Sequence, residues 1–139
     1  MNQPPVNSGH FSSSHAPLIY IVDDEPMLLD LAEVALMSDG YRFKKFADPA
    51  LAFKSFQAET PKPTLLVTDY MMGSMTGLQL LALCRREHPA LKVVLVSGTA
   101  GPELINESAE PVDHFLPKPY KPRELAEIVR AVLAGQARL

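Results

Sequence analysis

The sequence predicts an α/β domain built on a parallel sheet, and three observations carry that prediction. Short apolar runs bounded by polar residues recur along the chain, and stretches with helical spacing of apolar residues separate them. The 139 residues, 47% hydrophobic and 21% charged, leave room for one core and no second folded domain. Five strands alternating with five helices give a parallel sheet, because right-handed crossovers place helices on both faces.

Residues 1–16 contain no Asp, Glu, Lys or Arg but do contain Pro4, Pro5, Ser8, Gly9 and Ser12–Ser14, so they are expected to form a disordered arm. The folded domain is then 17–139. Leu18–Val22 (LIYIV) reads as the first strand. Leu28, Leu31, Ala32, Ala35 and Leu36 follow at i, i+3, i+4, i+7 and i+8, the spacing of one helix face. Tyr41–Phe46 is the second strand, and Asp48–Pro49 opens a short helix carrying Ala52, Phe53 and Phe56. Leu65–Val67, within TLLVT, is the third strand; Gly77, Leu80, Leu81 and Cys84 mark a helix that ends before Pro89. Val93–Val96 is the fourth strand, Pro102 to Ala109 a helix with Leu104, Ile105 and Ala109 as contacts, and Phe115–Leu116 the fifth strand. Leu125, Ile128, Val129, Val132 and Leu133 form the last helix stripe.

The formal charge is −3, and no basic cluster exceeds the pairs Lys44–Lys45 and Arg85–Arg86, which argues against direct nucleic-acid binding. A single cysteine, Cys84, cannot close an internal disulfide and suits a reducing compartment, so a cytoplasmic location is expected. No apolar run approaches the roughly 20 residues that span a bilayer, and no secretory leader pattern opens the chain, so no membrane association is expected.

In parallel α/β sheets, ligands bind beyond the carboxyl ends of the strands. Asp23 and Asp24 follow the first strand and Asp69 the third. Asp23–Asp24–Glu25–Pro26 alone reads equally as a helix start, and Asp69 alone as a loop residue. On neighbouring strands, however, these acids crowd one another, and like charges held close must protonate or be neutralised. An all-oxygen cluster with room for water suits Mg²⁺. The expected site uses Asp24 and Asp69 directly, Asp23 through water, and a backbone carbonyl near Met71. Ser97, followed by Gly98, ends the fourth strand, and Lys118 follows the fifth. Lys118–Pro119 invites a cis peptide bond, which costs only about 0.5–1 kcal/mol at X–Pro and would aim the lysine inward.

Over residues 17 to 135 these features resemble the receiver domains of bacterial two-component response regulators. The resemblance rests on IVDDE (Ile21–Glu25), TDYMMGSMTGLQLL (Thr68–Leu81), VLVSG (Val94–Gly98) and FLPKPY (Phe115–Tyr120), in that order. It implies the doubly wound, flavodoxin-like fold of five βα units with strand order 2-1-3-4-5, a CheY-like arrangement that is itself a standard example of the switch-point rule. It implies Asp69 as phosphoacceptor, Asp23 and Asp24 as cation ligands, Lys118 pairing with the acyl phosphate, Ser97 donating to a phosphoryl oxygen, and Phe115 as the aromatic switch. The phosphodonor would be a histidine kinase, a histidine phosphotransfer protein or acetyl phosphate, and the modification would be self-assisted rather than enzymatic turnover. A downstream protein effector, and a phosphorylation-dependent dimer, are the implied outputs. A stand-alone regulator is favoured over a hybrid-kinase receiver.

This chain departs from the family pattern at Gly73, where a proline is common, which is expected to loosen the loop after Asp69. Pro111 stands where small residues are usual, and the fourth helix is short and polar. Met71 and Thr99 flank the path of a hydrolytic water, and an apolar Met71 cannot orient it, so slow self-dephosphorylation is expected. Two other readings are a phosphatase of the haloacid dehalogenase type and a binding module that no longer responds to phosphate. The first wants an acid where Met71 stands, and a cap domain as well; the second leaves the full set Asp23, Asp24, Asp69, Ser97 and Lys118 unexplained.

Overall fold

The apolar runs become strands wherever both of their faces can be covered. In the computed structural model, residues 16–98 and 111–135 are described. The elements are β1 (Leu18–Val22), α1 (Pro26–Met37), β2 (Arg42–Phe46), α2 (Pro49–Ala58), β3 (Leu65–Asp69), β4 (Met71–Met72), β5 (Met75–Thr76), α3 (Gly77–Glu87), β6 (Lys92–Ser97), β7 (His114–Pro117) and α4 (Pro122–Leu133). The arm expected over 1–16 falls almost wholly outside the described residues, as do the helix expected over 102–109 and Thr99.

Five strands form one parallel sheet in the order β2-β1-β3-β6-β7, which is the 2-1-3-4-5 order expected. Side chains alternate between its faces. Leu18, Tyr20, Leu66, Val93, Leu95 and Phe115 pack with Ala52 and Phe56 of α2 and Leu80, Leu81 and Cys84 of α3. Ile19, Ile21, Leu65, Val67, Val94, Val96 and Leu116 pack with Leu29, Ala32, Ala35 and Leu36 of α1 and Leu125, Val129 and Val132 of α4. All five residues of β1 and of β3 are buried, which explains their continuous apolar runs. β2 lies at the edge, where the exposed Lys44 and Lys45 discourage pairing with another chain.

Tyr20 is a buried phenol in the core, and its hydroxyl is satisfied: it donates to Glu59 Oε1 at 2.6 Å and lies 2.7 Å from Ser55 Oγ, while Lys44 holds the same Glu59 oxygen at 2.8 Å. Burial pushes the Cys84 thiol up to about 12, so it stays a protonated, inert core group.

Several expectations need correction. The face of α1 that enters the core includes Leu29, whereas Leu28 and Leu31 are only partly buried, because the sheet meets the helix slightly to one side of the predicted stripe. β3 runs through Asp69 itself, which pairs with Val96. Gly73, at φ +61°, lies in the tight turn of an antiparallel β4–β5 hairpin, a backbone conformation that glycine adopts without steric cost. That hairpin was not anticipated.

The predicted opening of α2 holds, since the Asp48 side chain accepts the Ala50 N–H at 2.9 Å. α3 opens with a reciprocal Thr76–Gln79 capping box.

Candidate functional site

The register of the sheet delivers four chemical groups to one end. Val22 pairs with Thr68, so Asp23 and Asp69 follow side by side at the tips of β1 and β3. Ser97 pairs with Pro117, which places Lys118 immediately beyond Ser97, and the Lys118 N–H donates to the Ser97 carbonyl at 2.8 Å. Asp23 and Asp69 are each 6% exposed and Ser97 is 2% exposed.

Lys118 Nζ lies 3.2 Å from Asp23 Oδ2, 3.3 Å from Asp69 Oδ1 and 3.3 Å from Glu25 Oε1. The Lys118–Pro119 peptide is cis, as expected. Asp24, Glu25, Asp69, Met71, Ser97, Gly98 and Lys118 line a cleft of about 360 Å³. A larger cavity of about 530 Å³ lies at the opposite end of the sheet, around Arg85, Leu91 and Asp113, but among the described residues no converging carboxylates face it.

The helix-start reading of the acidic triplet holds for the backbone, since α1 begins at Pro26 directly after it, but not for side-chain capping. Glu25 occupies the N-cap position of α1 without a side-chain capping bond, and Asp23 Oδ1 instead accepts the Glu25 N–H at 2.9 Å. Asp23 is thereby fixed in orientation and kept pointing at Lys118.

Burial, and then the neighbouring Asp23 charge, raises the Asp69 carboxyl above the usual carboxylate range, while Lys118 opposes the shift. Burial likewise raises Asp23, against the Glu25 N–H and Lys118. For Lys118, burial works against the charge, yet Asp23 and Asp69 outweigh it and hold the ammonium above its ordinary value. One cation therefore serves an excess of acids. Asp23, Asp24 and Asp69 each offer a carboxylate oxygen, all within 4.8 Å of one another, with Asp24 exposed to solvent. This hard, all-oxygen donor set with an open side fits a divalent cation such as Mg²⁺.

Met71, 56% exposed, lines the same cleft. Phe115 sits inward, 7% exposed, beside Leu95 on the sheet face that α2 and α3 cover.

Three contributors were missed from sequence. Glu25 reaches the lysine, and its place in the DDE triplet was the available signal. Tyr120, half-buried, has its hydroxyl raised by burial and then by Asp23, so it borders the same charges. Gly77 is needed for its lack of a side chain, because a Cβ there would collide with the Asp69 carbonyl oxygen. Its N–H donates to Tyr70 O at 2.8 Å, and only a residue without a side chain lets α3 start so close to the segment after Asp69. A glycine opening an otherwise apolar helix stripe, where a side chain would be expected to pack, was the signal.

Comparison with known proteins defines the class. The response regulator receiver domain family matches residues 19–130, and the chain belongs to that family. The structure resembles the receiver domain protein (CheY-like) from Methanospirillum hungatei JF-1, with TM-score 0.76 and 28% identity, covering 87% of this chain and 96% of that one. The transcriptional regulatory protein YvrH of Bacillus subtilis is 33% identical over 116 residues, 83% of this chain and 48% of its own length. The sensor kinase CckA of Brucella abortus is 31% identical over 124 residues, 88% of this chain and 13% of its own length. The chain thus spans about half the length of one curated relative and a small part of the other. Among the described residues no helix is long and apolar enough to cross a membrane.

Proposed function

We propose that this receiver domain accepts a phosphoryl group on Asp69, with Asp23, Asp24 and a backbone carbonyl near Met71 holding Mg²⁺. The observation that carries the reading is the Lys118 ammonium seated between Asp23 and Asp69 at 3.2 and 3.3 Å, with Ser97 at the adjoining strand tip. When bound, the cation supplies charge neutralisation for the entering phosphoryl oxygens.

An Asp69 carboxylate oxygen forms the new O–P bond. The P–N bond of a phosphohistidine, or the P–O bond of acetyl phosphate, breaks, and its electron pair stays on the leaving group. Burial disfavours the Asp69 carboxylate, and Lys118 opposes that effect and favours the anion that attacks. The same ammonium then meets the negative charge on the acyl phosphate, and the Ser97 hydroxyl donates a hydrogen bond to a phosphoryl oxygen.

The new charge favours the arrangement in which Ser97 donates to the phosphoryl group and Phe115 stays in its inward position, altering the surface near β7 and α4 that an effector protein or a second copy reads. A histidine kinase or a phosphotransfer protein is the natural donor, in the cytoplasm, where a buried thiol such as Cys84 stays reduced.

The test is incubation with acetyl phosphate and Mg²⁺. A mass gain of one phosphoryl group is expected in the native chain and not in Asp69→Ala; the same gain in both proteins overturns the assignment. Continuous turnover of phosphate monoesters would instead point to a phosphatase.

A further inference from the structure

An ammonium has three N–H donors, and Lys118 faces three carboxylates: Asp23, Asp69 and Glu25, at 3.2, 3.3 and 3.3 Å. A phosphoryl group arriving on Asp69 therefore meets a lysine already committed, and one partner must let go. Asp23 is 6% exposed and tethered by the Glu25 N–H, so leaving it without the lysine would strand a buried charge. The Glu25 side chain is 64% exposed and caps nothing in α1, so water replaces its contact at little cost.

We infer that Glu25 is a positioning residue that holds Lys118 in the unmodified protein and selects against strongly anionic small phosphodonors. This rests on Asp69 being the acceptor. Glu25 lines the mouth of the cleft beside Asp24, so an entering donor passes a carboxylate before it reaches the lysine. The lysine is released only by a donor whose phosphoryl group displaces that carboxylate. A donor with fewer negative charges meets less repulsion at the mouth.

The experiment compares the native chain with Glu25→Gln, following the Asp69-dependent mass gain with acetyl phosphate and with phosphoramidate, whose net charge is one unit less negative. Glu25→Gln is expected to react about threefold faster with acetyl phosphate, a change typical of one exposed ion pair. The acceleration should be smaller with phosphoramidate, so that the ratio of the two rates rises, and it should shrink in high salt as screening removes the repulsion. A purely structural role would change both donors alike. Equal or slower modification of Glu25→Gln, or an unchanged donor ratio, overturns the inference while leaving Asp69 as acceptor. A native chain that gains no Asp69-dependent mass overturns both.

Discussion

Each end of the sheet buries an aspartate beside a cation, and the two ends solve that problem differently. At the amino end of β6, Asp113 is 6% exposed and accepts the Val93 N–H at 2.9 Å and Arg85 at 3.4 Å. The guanidinium also donates to Leu91 O at 2.9 Å and to the Pro111 carbonyl, so α3, β6 and the segment before β7 are tied by one planar fork. Among the described residues, one acid faces one cation there. At the carboxyl end, Asp69 is equally buried but shares Lys118 with Asp23 and Glu25, and Asp24 lies close by. Buried charge that is fully answered serves stability; buried charge left short of a cation is available for a ligand.

The sharpest way to break this contrast is to remove each aspartate in turn. Asp113→Ala should destabilise the domain by about 3 kcal/mol in urea unfolding, because it removes the buried ion pair with Arg85 and leaves the Val93 N–H without its acceptor, yet the folded fraction should still gain a phosphoryl group. Asp69→Ala should abolish that gain and cost little stability. If both variants lost stability equally, the two ends would not differ in kind.

The second test adds a divalent cation. Mg²⁺ at a hundredfold excess over its dissociation constant should stabilise the native chain by about 2.7 kcal/mol, read as a rise in Tm. The rise should persist in Asp113→Asn and largely vanish in Asp24→Asn. A full response in Asp24→Asn would show that the cation sits elsewhere.

A smaller effect sharpens the same point through pH. The Asp69 pKa is raised by burial and by Asp23, so ionisation costs stability in the folded state. That contribution is fully present below the ordinary carboxylate value and is lost as pH rises through the higher folded value. Without added cation, Asp69→Asn should therefore be more stable than the native chain by about 1 kcal/mol at neutral pH. The difference should close in acid, where both carry a neutral side chain; a difference independent of pH would assign it to packing.

The smallest expected change concerns lifetime. Met71→Asn should shorten the half-life of the phosphorylated protein a few-fold by positioning water at the cleft, with no change in stability. An unchanged half-life would show that Met71 does not govern water access.

Much of the site was legible because strand tips are local features. A run such as LIYIV followed by Asp23–Asp24, or VVLV followed by Ser97, announces both a strand and the residue at its end. The alternation of elements pointed to a parallel sheet, the family resemblance implied its strand order, and β1 and β3 do lie side by side. The β4–β5 hairpin was not legible, because two-residue strands show no periodicity and Gly73 marks only a turn. The Arg85–Asp113 pair left no trace either, since its members are 28 residues apart and each looks like a surface charge.

By itself, then, the chain's pattern determined the class of fold, the burial of its central strands on both faces and the identity of the residues carried to one end of the sheet, for these depend on side-chain periodicity and on where each apolar run stops. Only the tertiary structure decided which acids share Lys118, that Glu25 is one of them although 93 residues separate the pair, and that Gly77 must lack a side chain for α3 to pass the Asp69 carbonyl. Such contacts depend on register between strands and on helix placement to within an ångström or two. Local propensity does not encode distances of that kind.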